Sequence, residues 1–143
     1  MLRGTSLFGQ VLGLISRPDF DRAVHQHRGE HAAKGFACWD QLVAMLFCQL
    51  AQARSLREIC GGLASCVGKL HHLGVGRAPK RSTLAYANEH RPWQIYQTVF
   101  HQLLDKCLGA AQGKHRFRFK HRLYSFDSTT IDLCLSIFDW AHY

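Results

Sequence analysis

The chain has 143 residues, 47% hydrophobic and 20% charged, proportions of a folded domain with a real core and not of a disordered segment. No apolar run reaches the roughly 18–20 residues that span a bilayer, so no membrane partner is expected. The net charge of +8 is uneven: residues 54–122 hold thirteen Lys/Arg against three acids (Glu58, Glu89 and Asp105), a local +10. Such a surface favours a polyanion, most commonly nucleic acid.

Taken in order, the first 109 residues read as helices. Thr5 or Ser6 is placed to cap a first helix whose Leu7, Phe8, Val11, Leu12 and Ile15 recur at the helical period. With one Arg, an interrupting Gly9 and Gly13 and no small-residue cleavage site, this stretch reads as a helix and not a signal peptide. Arg17-Pro18 ends it, and Pro18-Asp19 opens a second helix with Phe20, Val24 and His27 on one face. Residues 28–35 are polar and predict a loop. Asp40 then opens a strong helix carrying Leu42, Val43, Leu46, Phe47, Leu50 and Ala51, widened by Met45 and Cys48. Apolar around so much of its circumference, it belongs at the centre of a bundle, with Gln41, Gln49 and Gln52 as its polar remainder.

Ser55-Leu56-Arg57-Glu58 predicts a capping box, the serine accepting from the amide of residue 58 and the glutamate reaching back to the serine amide. The helix it starts has Leu56, Ile59, Leu63, Val67 and Leu70 on one face and ends near His71-His72-Leu73-Gly74. Gly61-Gly62 inside it costs about 1 kcal/mol per glycine, which predicts a close helix contact or a kink. After a basic Gly/Pro-containing turn, Ser82 is expected to cap a short helix through His90. Pro92 starts another, with Ile95, Tyr96, Val99, Phe100, Leu103, Leu104, Cys107 and Leu108 in its stripe and Gly109 as its stop.

The period changes after residue 113. Lys114, Arg116, Arg118, Lys120 and Arg122 alternate with His115, Phe117, Phe119, His121 and Leu123, a period of two that predicts a β-strand over 114–126. The fold class expected is therefore mainly α: a bundle of five or six helices over residues 1–112, then the first strand of a second unit over 113–143. Six cysteines (Cys38, Cys48, Cys60, Cys66, Cys107 and Cys134) include no C-x-x-C pair, and most fall on apolar helical stripes. They are expected to be reduced and buried, in a cytoplasmic protein.

Three constellations compete for function. The first resembles a helix-turn-helix: the helix after Ser55, a basic turn, then a short helix carrying Thr83, Tyr86, Asn88 and His90. The groups expected on DNA are Arg54, Arg57, Lys69, Arg77, Lys80, Arg81, Ser82, Thr83, Asn88 and Arg91, able to serve phosphates and base edges. Its connecting turn is longer than the usual three or four residues, and a solvated helix pair is the plainer alternative. The second is histidine: His25, His27 and His31, or His71 and His72, none with carboxylate or thiolate partners at zinc spacing. The third is Asp127, delivered by Tyr124-Ser125-Phe126 and followed by Ser128-Thr129-Thr130, with Asp132 and Asp139 beyond. On spacing alone Asp127 is either an acid at a strand tip suited to Mg²⁺ or a turn former.

Cys38-Trp39-Asp40-Gln41-Leu42, Ser55-Leu56-Arg57-Glu58-Ile59, Arg81-Ser82-Thr83-Leu84-Ala85 with Asn88-Glu89, and Asp127-Ser128-Thr129-Thr130-Ile131-Asp132, ending in Trp140-Ala141, resemble bacterial insertion-sequence transposases of the "IS-four" family. That family carries a domain of unknown function at its N-terminus, and the likeness covers nearly the whole chain in order. It implies that the helical region engages the double-stranded ends of a mobile element. It also implies that Asp127 opens a ribonuclease-H-like domain as the first of three catalytic, Mg²⁺-binding carboxylates. The other two members of that DDE set have no counterpart here. One carboxylate does not hold two Mg²⁺ ions, so the expectation is a truncated transposase that binds element ends without cleavage or strand transfer. Its expected partners are DNA and, further, intact transposase or a second copy. A stand-alone protein occupying element ends, or a remnant without function, are the alternatives.

Overall fold

A computed structural model describes residues 6–31, 33, 35–66 and 68–111. The strand expected over 114–126, Asp127 and the whole second unit, 113–143, lie outside the described residues, as do Thr5 and Val67. The described residues are mainly helical, with six α-helices, a short 3-10 turn and no strand.

Helix α1, Leu7–Leu12, begins where Ser6 Oγ accepts the Gly9 amide at 3.1 Å. It stops at Gly13, short of the expected Ile15; Leu14 and Ile15 continue only through i→i+3 bonds to Val11 and Leu12. Helix α2, Arg17–Gln26, takes Pro18 into its first turn, as its missing N–H allows, and buries Phe20, Ala23 and Val24. Helix α3, Cys38–Leu50, starts two residues before the expected Asp40, which is its third residue and whose Oδ2 accepts the Ala37 amide at 3.1 Å. Its buried face is Cys38, Trp39, Gln41, Leu42, Val43, Ala44 and Cys48, while Leu50, expected inside, is exposed.

Helix α4, Leu56–Ser65, has the predicted cap at one end only. Ser55 Oγ accepts the Glu58 amide at 3.2 Å, but Glu58 Oε2 accepts from the Arg54 amide at 2.8 Å and not from Ser55. The helix also ends before the expected Leu70. Gly68 has φ +76°, outside the right-handed helix region, and a 3-10 turn over Leu70–Leu73 follows, closed by Gly74 at φ +74°. The Gly61-Gly62 pair proves to mark a close contact: a Cβ on Gly62 would lie 2.7 Å from the Phe47 ring of α3.

Trp39 locks the 3-10 turn to the helices. Its indole Nε1–H donates to the Leu73 carbonyl at 2.8 Å, the Phe20 ring meets it edge-on at 5.3 Å, and the Arg17 guanidinium lies 4.3 Å over its face. Helix α5, Arg81–His90, follows an extended turn, and α6, Gln94–Ala111, packs along α2. Leu42, Val43, Ile59, Leu63, Val75, Leu84, Ile95 and Val99 join one core that touches every helix from α3 to α6. No helix among the described residues is long and apolar enough to cross a membrane.

Candidate nucleic-acid interface

Helix α5 packs against both α3 and α4, and its periodicity decides which side chains face out. Leu84 and Ala87 are buried; Arg81, Ser82, Tyr86, Glu89 and His90 are exposed, and Thr83 is half-buried. Ser82 is not the cap expected of it. The cap position belongs to Lys80, which makes no side-chain capping bond, and the first turn contains no acid. Two cations, Lys80 and Arg81, therefore stand at the positive end of a helix dipole, an arrangement that is unfavourable unless an anion joins them. The Tyr86 and His90 rings stack at 3.9 Å on the outer face, and His90 Nδ1 pairs with the Tyr86 carbonyl at 3.0 Å.

Around that turn the basic side chains are exposed: Arg54 and Arg57 at the start of α4, Lys69 beyond its end, and Arg77 and Lys80 before α5. None of Arg57, Lys69, Arg77, Lys80 and Arg81 pairs with a carboxylate among the described residues. Arg81 lies close enough to α4 for its charge to oppose the rise that burial imposes on the Cys60 thiol.

Asn88 and Arg91 have a different placement. Asn88 Oδ1 accepts from Gln41 Nε2 at 2.7 Å, and Asn88 Nδ2 lies 3.5 Å from Met45 Sδ. Arg91 Nη1 donates to the Ala37 carbonyl at 3.0 Å and to Gln41 Oε1 at 3.1 Å; its other amino group donates to the Phe36 carbonyl, and its guanidinium lies over the Phe36 ring. Gln41, read from sequence as polar remainder, is 3% exposed at the hub of this network. Both of its amide ends are satisfied, which is what permits its burial. Of the ten residues expected on DNA, seven are exposed on or beside α4, the turn after it and the start of α5 (the α4–turn–α5 rim), Thr83 is half-buried, and Asn88 and Arg91 tie α5 to α3.

Among the described residues no three His, Cys, Asp or Glu side chains come together to hold a metal. His71 and His72 have ring centroids 3.8 Å apart, and His27 Nε2 pairs with Thr98 Oγ1 at 2.9 Å. None of the described cysteines forms a disulfide; Cys38 and Cys48 are buried, Cys60 and Cys66 half-buried, and Cys107, expected inside, is exposed. Burial pushes the Cys38 thiol up, and it raises the Tyr96 hydroxyl strongly.

The family described as a domain of unknown function, DUF4372, matches residues 3–76, just over half of the chain. The chain belongs to this family. DUF4372 is a domain found in transposase-like proteins. No curated protein and no solved structure matches the chain. The DUF4372 segment runs from α1 through the 3-10 turn and contains Arg54, Arg57 and Lys69. Arg77, Lys80, Arg81 and the whole of α5 follow it, so the rim joins the last part of DUF4372 to the element after it.

Proposed function

We propose that this chain is the end-binding part of a transposase, holding double-stranded DNA on the α4–turn–α5 rim. The observation that carries the reading is the N-terminus of α5: uncapped, without an acid, and flanked by Lys80, Arg81 and Ser82 facing solvent. Exposed first-turn amides with adjacent cations and a hydroxyl form a phosphate-binding arrangement. Arg54, Arg57, Lys69 and Arg77 extend the positive field along neighbouring segments, as duplex binding requires. Thr83 and Tyr86 follow on α5 and are the side chains nearest in sequence that could meet base edges. Membership of DUF4372 and the resemblance to insertion-sequence transposases support the ends of a mobile element as that DNA. By that resemblance Asp127 is the first carboxylate of a Mg²⁺-dependent cleavage centre. One such carboxylate does not hold two Mg²⁺ ions, and DNA binding is the role proposed for the helices before it.

Fluorescence anisotropy of the purified chain with a terminal-repeat duplex tests the reading. Affinity should exceed that for unrelated duplex and fall steeply with salt, and each of Lys80→Ala and Arg81→Ala should reduce the log–log slope by about 0.9. Equal affinity for unrelated duplex defeats end recognition, and binding insensitive to salt defeats the rim altogether. Mg²⁺-dependent nicking that Asp127→Ala abolishes would place Asp127 in a cleavage centre, and nicking that survives the substitution would remove it from one.

A further inference from the structure

The apolar surface of helix α6 extends well beyond the side that packs on the core. Ile95 and Val99 are buried against the bundle, with Tyr96 and Leu103 beside them. Trp93, Phe100, Leu104 and Leu108 are exposed, Trp93 by 63% and Phe100 by 60%. Trp93 belongs to the same helical run, because its carbonyl accepts the Gln97 amide at 3.4 Å. At 100° per residue the exposed set centres roughly 120° from the core-facing one, so bundle packing does not account for it.

The exposed stripe has an ordered spacing. Trp93, Gln97, Phe100, Leu104 and Cys107 succeed one another at intervals of 4, 3, 4 and 3 residues, the 3.5-residue repeat of a helix that supercoils against another helix. Leu108 flanks the seam. The stripe contains no charged residue, although the chain carries 18 Lys/Arg and 10 Asp/Glu; Lys106, on the side of the helix toward α2, pairs with Asp19 at 3.6 Å. A solvated helix face would carry charges here.

We propose that this face is the seam of a parallel homodimer, in which α6 of one copy lies along α6 of the other. A seam on one helix is self-complementary under a two-fold axis, as a closed dimer requires. Parallel pairing sets Gln97 against its own copy, where two amides hydrogen-bond each other and fix the register. Antiparallel pairing sets Gln97 near Cys107 and leaves the amide without an equal partner. The exposed parts of the four large side chains amount to roughly 400 Å² per copy. With Gln97, His101 and Cys107 the pair covers on the order of 1,000 Å², the lower limit of a specific interface. The inference stands on α6 alone and does not depend on DNA binding.

Sedimentation velocity of the full chain from 1 to 100 µM tests it, in buffer without DNA. A dimer is expected, and Phe100→Glu with Leu104→Glu should convert it to a monomer of unchanged helical circular dichroism, since both side chains are exposed. In the parallel arrangement mild oxidation should link two copies through Cys107; the link should vanish in Cys107→Ser and persist in Cys60→Ser. Gln97→Leu, which leaves the fold untouched, should strengthen association or change its stoichiometry. A monomer throughout this range, as when residues 112–143 of the same chain cover the face, overturns the proposal. So does a dimer that survives the double glutamate substitution, or one that Cys107 fails to cross-link.

Discussion

The two ends of α5 use the same kind of side chain in opposite ways. At its C-terminal end Arg91 turns inward and donates to the carbonyls of Phe36 and Ala37 and to Gln41, while Asn88 completes the hub. A cation there also complements the negative end of the helix dipole. At its N-terminal end Lys80 and Arg81 face solvent at the positive pole, with no capping oxygen and no acid in the first turn. One end is complete within the protein; the other has no carboxylate partner for its cations among the described residues, and the proposed function gives it a phosphate. On that proposal the arginines at the two ends of α5 differ by the helix end they occupy and by what lies across from them, not by residue type.

The largest expected effect tests the inward end. Arg91→Ala strands two backbone carbonyls and the Gln41 amide oxygen, and should lower stability by about 2–3 kcal/mol, read as a shift in the urea midpoint at constant m. Arg91→Lys should recover only part of this, because an ammonium cannot reproduce the fork that reaches three acceptors. DNA affinity, corrected for the folded fraction, should stay near the parent value. A variant of full stability that loses DNA would erase the distinction between the two ends.

The outward end should behave in reverse. Lys80→Asp places an acceptor at the cap position of α5 and an anion at its positive pole, and should raise stability by about 1 kcal/mol. The same substitution should abolish binding to the terminal duplex at moderate salt, since it fills the phosphate position with a fixed carboxylate. Stability and affinity moving in opposite directions is the outcome that a merely structural role for Lys80 cannot produce. Parallel losses in both would show that Lys80 supports the fold.

Helix α4 carries the same inward-outward contrast in two adjacent glycines. Gly61 has open space around its missing Cβ, so Gly61→Ala should stabilise by up to about 1 kcal/mol through helix propensity. A Cβ on Gly62 would lie 2.7 Å from the Phe47 ring. Gly62→Ala should therefore destabilise by about 1 kcal/mol or more net, overpacking outweighing the propensity gain. Thermal melts of the two variants should move in opposite directions.

Much of this was legible in the sequence, and the losses have physical causes. Ser6 and Ser55 cap as their spacing predicts, and an apolar period or a helix-start residue pointed to each of the six described helices, because these signals are local. The burial of Gln41 was not legible: it depends on Asn88 and Arg91, 47 and 50 residues away. Ser82 looked like a cap by type, yet Lys80 holds that position and Ser82 falls inside the first turn. The stripe of α6 was visible as apolar, but a one-dimensional pattern did not show that Ile95 and Phe100 lie on different sides of one helix. The rim was visible as charge, whereas its separation into an outer set and an inner pair required the packing of α5 on α3.

Helix α2 supplies the internal control for the comparison and the smallest expected effect. Its first turn contains Asp19, the anion that the first turn of α5 lacks. A hydrogen bond from Ser16, with the nearby charges of Arg22 and Lys106, holds the Asp19 carboxyl below its ordinary 3.8. A depressed carboxylate contributes stability above its unfolded pKa, and that contribution disappears as pH falls through the lower folded value. Resolved carboxyl titration by NMR should therefore find the Asp19 midpoint below its ordinary 3.8. Asp19→Asn should remove this part of the acid sensitivity, with only a slight change at neutral pH because its partners Arg22 and Lys106 are exposed to solvent. If Asp19 instead titrates at or above its ordinary value, a positive helix end with flanking cations does not hold an anion in this protein. Phosphate at the start of α5 would then have no precedent within the same fold.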